Sequence, residues 1–340
     1  MPAANSYSTP GTTGGNREYL RNVLTVLEPE GTPVVSMIKK GETMKGNYAE
    51  VLADTFRPAR TSGRPEGQDS GLGTNNAEKR QRFGNYAHIL REDFDVTDMQ
   101  QAVETAAVAD EFDYAKAKAI SQLKRDMEAV TCGAQEMQAG NNEDEWRTRG
   151  LWTWVASSAQ ATNPVPADFL TPSGNIQTGL TASGGISGLT EAQLNAVLQN
   201  IFIVYGKPMT LQLVGDTTTQ AAVDNFSRTN SATDSSKARY VVQDNVNDKS
   251  ITLSVKTFES SFGLLHVMPS MFVNIAASTG LSTACSGLIL NMALLEMQFV
   301  KNMNLFTKEL LDLGGGPRGF AKCGFSLCVK NPKGLGKVSP

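Results

Sequence analysis

The chain has 340 residues, a formal net charge of −3, 40% hydrophobic residues and 19% charged residues. That length suits one elaborated domain or two subdomains, and the near-neutral charge supplies no electrostatic reason for tight nucleic-acid binding. The most apolar window, Leu288 to Leu295, is too short for a membrane span, and four scattered cysteines make no disulfide framework.

Met1 to Thr13 is rich in Ser, Thr, Gly and Pro and has neither the basic stretch nor the apolar run of a signal peptide. A soluble protein made in the cytoplasm is expected. Asn16 can cap a helix that places Tyr19, Leu20, Val23, Leu24 and Leu27 on one face, and Pro29 ends it. A second short apolar stretch runs from Glu30 to Gly41.

Asn47 to Phe56 and Arg82 to Val96 have the β-branched and aromatic content of strands. Between them, Arg57 to Gln81 is a run of Arg, Pro, Gly, Ser, Asn and Gln. A structureless loop of that length is out of place inside a compact domain. It fits a long hairpin that projects from the body and rests its tip on a neighbour. Both charge signs occur there, with Arg57, Arg60, Arg64, Lys79 and Arg80 set against Glu66, Asp69 and Glu78. Such a mixture selects register in a polar contact.

From Asp98 to Cys132 there is no Gly or Pro, and apolar residues recur at helical spacing. Thr97 and Gln100 form a capping-box pattern at its start, and Gly133 marks its end. The expectation is one continuous helix of 35 residues, a rod of roughly 50 Å. Its stripe is largely alanine, which argues against a coiled coil. All three tryptophans (Trp146, Trp152, Trp154) then fall within nine residues, a cluster that reads as packing. Asn163 to Gly188 is expected as a surface loop.

Thr190 with Gln193 predicts a second capping box, ahead of a helix that Gly206 and Pro208 close. A strand from Met209 to Val214 and a helix from Thr217 to Phe226 follow. Ile251 to Phe258 and Phe262 to Val267 predict a hairpin. Gly287 to Phe299 is one long apolar stretch, and Gly314-Gly315-Gly316-Pro317 is a turn.

No phosphate-binding glycine loop, nucleophile elbow or His-Glu-x-x-His pattern is present. Pro317 withholds an N–H where a phosphate nest would need one. His88 and His266 lie on predicted strands, away from any partner for catalysis or for Cys323 and Cys328. No catalytic residue, cofactor or metal site is expected.

The last segment carries the most information. Phe325-Ser326-Leu327-Cys328-Val329 runs into an Asn331-Pro332-Lys333 turn and then Gly334-Leu335-Gly336-Lys337-Val338. It resembles the C-terminal end of the tailed-phage major capsid proteins of the SU10-like branch of the HK97-fold group. Further segments resemble the same family in the same order. They are Pro29 to Pro33 with Lys40-Gly41, then Asp54, Pro58, Glu66-Gly67, Arg82, Asn85-Tyr86 and Ile89. Gly150, Leu151, Trp154 and Val155 follow with Arg147 or Arg149, then Leu189 to Asn195 with Tyr205 to Pro208, and Phe262-Gly263. The chain departs from the family at Pro269-Ser270-Met271-Phe272, where a polar Asn-Arg pair is usual.

The resemblance implies an α+β, HK97-like capsid fold. Its parts would be an N-arm (1–45), an extended E-loop hairpin (46–96) and a P-domain spine helix with following loops (97–186). A central A-domain (187–280) and a P-domain return strand with C-terminal segment (281–340) would complete it. It further implies self-assembly into pentamers and hexamers of an icosahedral head in the host cytoplasm. That head would enclose double-stranded DNA non-specifically, with portal and decoration proteins as further partners and a separate scaffold or none. Inter-subunit contacts are expected at Arg57, Arg60, Arg64, Glu66, Lys79, Arg80, Arg82, Leu20 and Leu24. Two alternatives stand beside this reading. One is an encapsulin-like shell around protein cargo; the other is a soluble hydrolase or sugar-binding module built on the tryptophans.

Overall fold

The computed structural model describes residues 31–56, 59, 61–63, 65–67, 80–103, 105, 108–141, 143–180, 182–183, 186–226, 256–273, 285–312 and 314–340. The expected N-terminal helix with Leu20 and Leu24 lies outside them, as do Arg57, Arg60, Arg64 and Lys79.

In chain order, helix α1 (Pro33–Met37) leads through β1 (Lys39–Lys40) to β2 (Tyr48–Ala53), β3 (Gln81–Tyr86) and β4 (His88–Asp95). Helices α2 (Asp98–Ala102), α3 (Glu111–Cys132) and α4 (Leu151–Trp154) follow, then short strands β5 (Ile176–Gln177), β6 (Ala182–Ser183) and β7 (Ile186–Ser187). Next are α5 (Glu191–Tyr205), β8 (Met209–Gly215), α6 (Thr217–Asn225), β9 (Thr257–Ser260) and β10 (Gly263–Pro269). The chain ends with β11 (Gly287–Leu290), β12 (Leu295–Phe299), β13 (Phe306–Leu310), β14 (Arg318–Val329) and β15 (Gly336–Val338).

The chain divides into two units. One contains Glu92–Ser121 and Thr307–Ala321; the other contains Gly31–Arg91, Gln122–Phe306 and Lys322–Pro340. In the first, the expected 35-residue helix is broken in two. Thr97 caps α2 through the Gln100 N–H, as predicted, but Val103 already takes an extended conformation. Asp110 is the reason the helix restarts: its Oδ1 accepts from the N–H groups of Phe112 (2.9 Å) and Asp113 (3.2 Å). A residue whose side chain satisfies the free donors of a first turn begins a helix rather than continuing one. The continuous rod is therefore the 22 residues of α3, roughly 33 Å. In the same unit Asp312 Oδ1 accepts from Gly314, Gly315 and Gly316 N–H groups at 2.7, 3.2 and 3.3 Å. The glycine turn thus cradles its own carboxylate, and these bonds hold the Asp312 carboxyl below its ordinary range.

In the second unit a six-stranded sheet runs in the order β5-β15-β11-β8-β10-β9. The Thr190–Gln193 capping box starts α5, and Gly206 ends it in the left-handed region at φ 67°. Leu194, Val197, Leu198 and Ile201 of α5 pack with Ala222 and Val223 of α6 against Leu211, Leu213, Leu265 and Ile289 of the sheet. Each such aliphatic buried contributes roughly 1.5–3 kcal/mol of gross stabilisation. The predicted hairpin is present as β9–β10, with Gly263 opposite Ser260; residues 251–255 lie outside the described residues.

Three further expectations are corrected. The second predicted strand divides at Ala87 into β3, which pairs with β2, and β4, which pairs with β14. The apolar stretch Gly287 to Phe299 divides at Asn291, whose Oδ1 accepts the Ala293 N–H (3.1 Å), and its halves join different sheets. Asn163 to Gly188 is not a mere surface loop. Asn175 is wholly buried, its Nδ2 donating to the carbonyls of Lys333 (3.0 Å) and Leu335 (3.1 Å), and β5 pairs with β15.

Candidate functional site

Strands β2 and β3 pair where the sequence predicts the base of a hairpin, and that base is built in detail. The strands are antiparallel with Tyr48 opposite Tyr86 and Ala53 opposite Gln81. On the inner face, the Phe83 ring lies 6.1 Å from Trp154 and 5.6 Å from Phe169, so the tryptophan cluster anchors the hairpin. Tyr86 meets Tyr48 at 4.8 Å and Trp146 at 5.7 Å. Gly84 allows this close pairing, because a Cβ there would stand 2.1 Å from the Ala49 carbonyl oxygen. Gly84→Ala should therefore force the strands apart and cost about 1–3 kcal/mol, read as a lowered melting temperature and fewer assembled particles.

Behind the hairpin sits a buried polar knot. Asn85 donates from Nδ2 to the carbonyls of Arg149 (3.1 Å) and Leu327 (2.9 Å), and its Oδ1 accepts the Arg149 N–H (2.7 Å). One amide thus joins the hairpin, the segment entering α4 and β14. The Arg149 side chain is itself wholly buried. Its Nε donates to Glu136 Oε1 (2.6 Å), its Nη2 to the carbonyls of Thr162 and Asn163, and its guanidinium stacks 4.9 Å from the centre of the Trp154 ring. Gly150 beside it permits close approach: a Cβ would lie 2.1 Å from the Gly133 carbonyl oxygen. Of the two arginines open as the family's motif residue, Arg149 is the buried one. Arg147 is half exposed and pairs with Glu145 at 2.7 Å.

The outer face of the hairpin is unlike its base. Leu52 is 59% exposed and Phe56 fully exposed. Beside β2 is an open cleft of about 460 Å³ lined in part by Glu50, Leu52, Phe169, Glu296 and Lys330. Of the contact residues expected from the sequence, Glu66 is exposed in a turn with Gly67. Arg80 and Arg82 face their own hairpin, at 3.5 Å from Asp54 and 3.7 Å from Glu50. Leu52 and Phe56 were not foreseen; an apolar pair on the outer strand of a predicted projecting hairpin was the available signal.

Cys323, Cys328 and His88 are packed in the interior. Burial pushes the Cys323 thiol up to about 12 and the Cys328 thiol to about 11, so neither is a ready nucleophile. His88 lies edge-on to Phe325 at 6.0 Å, and burial holds its imidazole below the usual range against the pull of Glu145. Among the described residues no group of three or more His, Cys, Asp or Glu could hold a metal ion, and no helix is long and apolar enough to cross a membrane.

The fold matches solved capsid structures along nearly its whole length. The capsid protein of cyanophage P-SCSP1u superposes with a TM-score of 0.59 at 11% identity, covering 99% of both chains. A structure from Mycobacterium phage Bobi gives 0.60 at 11% identity, again over 99% of both chains. An encapsulin of Synechococcus elongatus gives 0.52 at 10% identity, covering 95% of this chain and 91% of that one. No curated protein sequence matches. These likenesses define an HK97-like capsid fold, with helices and sheets mixed. A profile of the family described as SU10 major capsid protein matches residues 5–340, and the chain belongs to that family. It is a major capsid protein of a phage head and a component of the virion.

Proposed function

We propose that this capsid subunit closes into pentamers and hexamers around double-stranded DNA, in the host cytoplasm, through its hairpin and N-arm, and that it carries out no reaction. The observation that supports this most is the contrast between the hairpin base, buried and knotted at Phe83 and Asn85, and the exposed apolar Leu52 of β2 and Phe56 just beyond it. Apolar side chains exposed among the described residues gain burial when another chain covers them. The Arg80–Asp54 and Arg82–Glu50 pairs are largely exposed, and such pairs are worth at most about 1 kcal/mol. Either arginine can therefore exchange its partner for a neighbour's carboxylate. Arg57, Arg60, Arg64, Glu66 and Lys79 extend the polar part of the contact, and Leu20 and Leu24 an apolar part. With a net charge of −3 the shell encloses DNA without gripping it. A scaffold made separately, or none, a portal and decoration proteins are the remaining partners of this reading.

Cryo-electron microscopy of the expressed chain, with the nucleic-acid and protein content of its particles, tests the proposal. Icosahedral shells or capsomer rings are expected. Leu52→Ser with Phe56→Ser should reduce particle yield about tenfold or more while leaving the subunit folded. A folded monomer, or shells filled by a protein cargo as in an encapsulin, would overturn it.

A further inference from the structure

The root of the hairpin meets β14 and the segment entering α4 at two neighbouring residues. Asn85 makes the polar knot described above. Three residues on, His88 opens β4, which pairs with β14. It is only 7% exposed, and its ring stands edge-on to Phe325 of β14 at 6.0 Å. The imidazole donates to the Trp146 carbonyl. Its Nδ1 is buried without a hydrogen-bond partner among the described residues. Nε2 is therefore the donor, and Nδ1 is the bare acceptor of the neutral ring.

Among the described residues the charged groups around this ring are engaged elsewhere. From Gly324 to Val329, β14 has no charged side chain, and the Cys328 thiol, pushed up to about 11 by burial, is neutral. The one charged residue of β3, Arg82, is exposed and faces Glu50 at 3.7 Å. On β4 itself Arg91 lies on the opposite face of the strand, and Glu92 stands four residues along, roughly 13 Å away. The segment before α4 supplies Glu145, which favours the imidazolium, and Arg147, which opposes it. Those two pair with each other at 2.7 Å, and Arg149 is held by Glu136 at 2.6 Å.

We propose that His88 is an acid-sensitive closure of the hairpin root: the root is held shut around a neutral imidazole and loosens when the ring takes a second proton. That proton goes to Nδ1, the one ring nitrogen left, where burial has removed water and no described acceptor replaces it. Local opening of the root rehydrates the ring and relieves the cost. The titration agrees with the geometry: burial holds the imidazole below the ordinary histidine range, against the pull of Glu145 and of the Trp146 carbonyl. The open root therefore binds the proton more tightly than the closed one. The contribution of His88 to closure is fully present above the ordinary histidine range and is lost as pH falls through that range to the closed-state value.

Hydrogen exchange and imidazole NMR of the full-length chain test the closure. Protection of the Ala87 N–H, which donates to the Asn47 carbonyl at 2.9 Å, is read relative to Leu213 of β8, inside the six-stranded sheet, from about pH 8 to about pH 5. Relative protection should fall about threefold or more and then level. The chain has two histidines, so His266→Gln leaves one ring to follow. Its Nε2 should carry the proton at neutral pH, and its titration should lie below the ordinary range. His88→Phe, which keeps a ring against Phe325, and His88→Gln, which keeps a donor, should each remove the pH dependence. A collapse of Leu213 protection would mark a misfolded variant, and the parent chain's exchange and titration then decide. Protection independent of pH in the parent chain, a ring that titrates at or above the ordinary range, or an unchanged pH dependence in a folded variant would overturn the proposal.

Discussion

Removing Asn331–Pro340 should leave a chain that cannot complete its six-stranded sheet and forms no particles. These residues are the last in the sequence, yet β15 lies inside the sheet, between β5 and β11. Leu335 and Val338 are wholly buried, and their loss forfeits roughly 1.5–3 kcal/mol each. Asn175 loses the Lys333 and Leu335 carbonyls, and Thr171 loses the Pro332 carbonyl that its Oγ1 reaches at 3.0 Å. Each buried polar group left without a partner costs about 1–3 kcal/mol. The Ser339 N–H bond to the Gln177 carbonyl (2.8 Å) and the Lys337 Nζ bond to the Trp152 carbonyl (3.2 Å) go as well. Together these losses are of the order of a domain's whole stability, about 5–15 kcal/mol. Soluble yield, circular dichroism and particle counts check it; normal particles from the truncated chain would show that the sheet closes without β15.

Arg149→Met should be the most damaging single side-chain change at the hairpin base, at about 2–4 kcal/mol. Methionine fills much of the space on Trp154 but leaves Glu136 and the Thr162 and Asn163 carbonyls without their donor. The cost lies below that of a fully buried pair because Glu136 retains 30% exposure and can rehydrate. Arg149→Lys should recover little, since one ammonium cannot reproduce a planar fork serving three acceptors. Arg147→Met is the control. Its pair with Glu145 is exposed on both sides, so it should cost no more than about 1 kcal/mol. Melting curves of the purified variants rank the three; equal effects at both positions would mean the knot does not hold the hairpin.

Much of the fold was legible because several of its devices are local. The Thr190–Gln193 box, the left-handed Gly206 and the Asn331-Pro332-Lys333 turn each depend on residues a few positions apart. Hairpin base strands β2 and β3 could be placed from composition, and the family motifs at Asn85-Tyr86 and at the C-terminus pointed to the capsid fold before any contact was known. The helix break before α3 was missed for a different reason. Propensity favours helix across Asp98 to Cys132, but the Asp110 carboxylate offers the Phe112 and Asp113 N–H groups a bond that a continuous helix would not use.

The exposed side of the site was only partly readable. The charge pattern of the hairpin suggested a polar contact, whereas the exposure of Leu52 and Phe56, on which the proposed apolar contact rests, is visible only in the structure. Periodicity could not separate β11 from β12 either, since an apolar run is equally content in either of two sheets. By itself, then, the sequence determined the family, the secondary elements with local caps and turns, and the expectation of a projecting hairpin. Only the tertiary structure decided that Arg149 rather than Arg147 is the buried arginine, that Glu128 caps a helix 94 residues away, and that the last strand lies within its sheet. Those facts rest on partners distant in sequence, where burial and unsatisfied hydrogen bonds select the pairing and no local propensity records it.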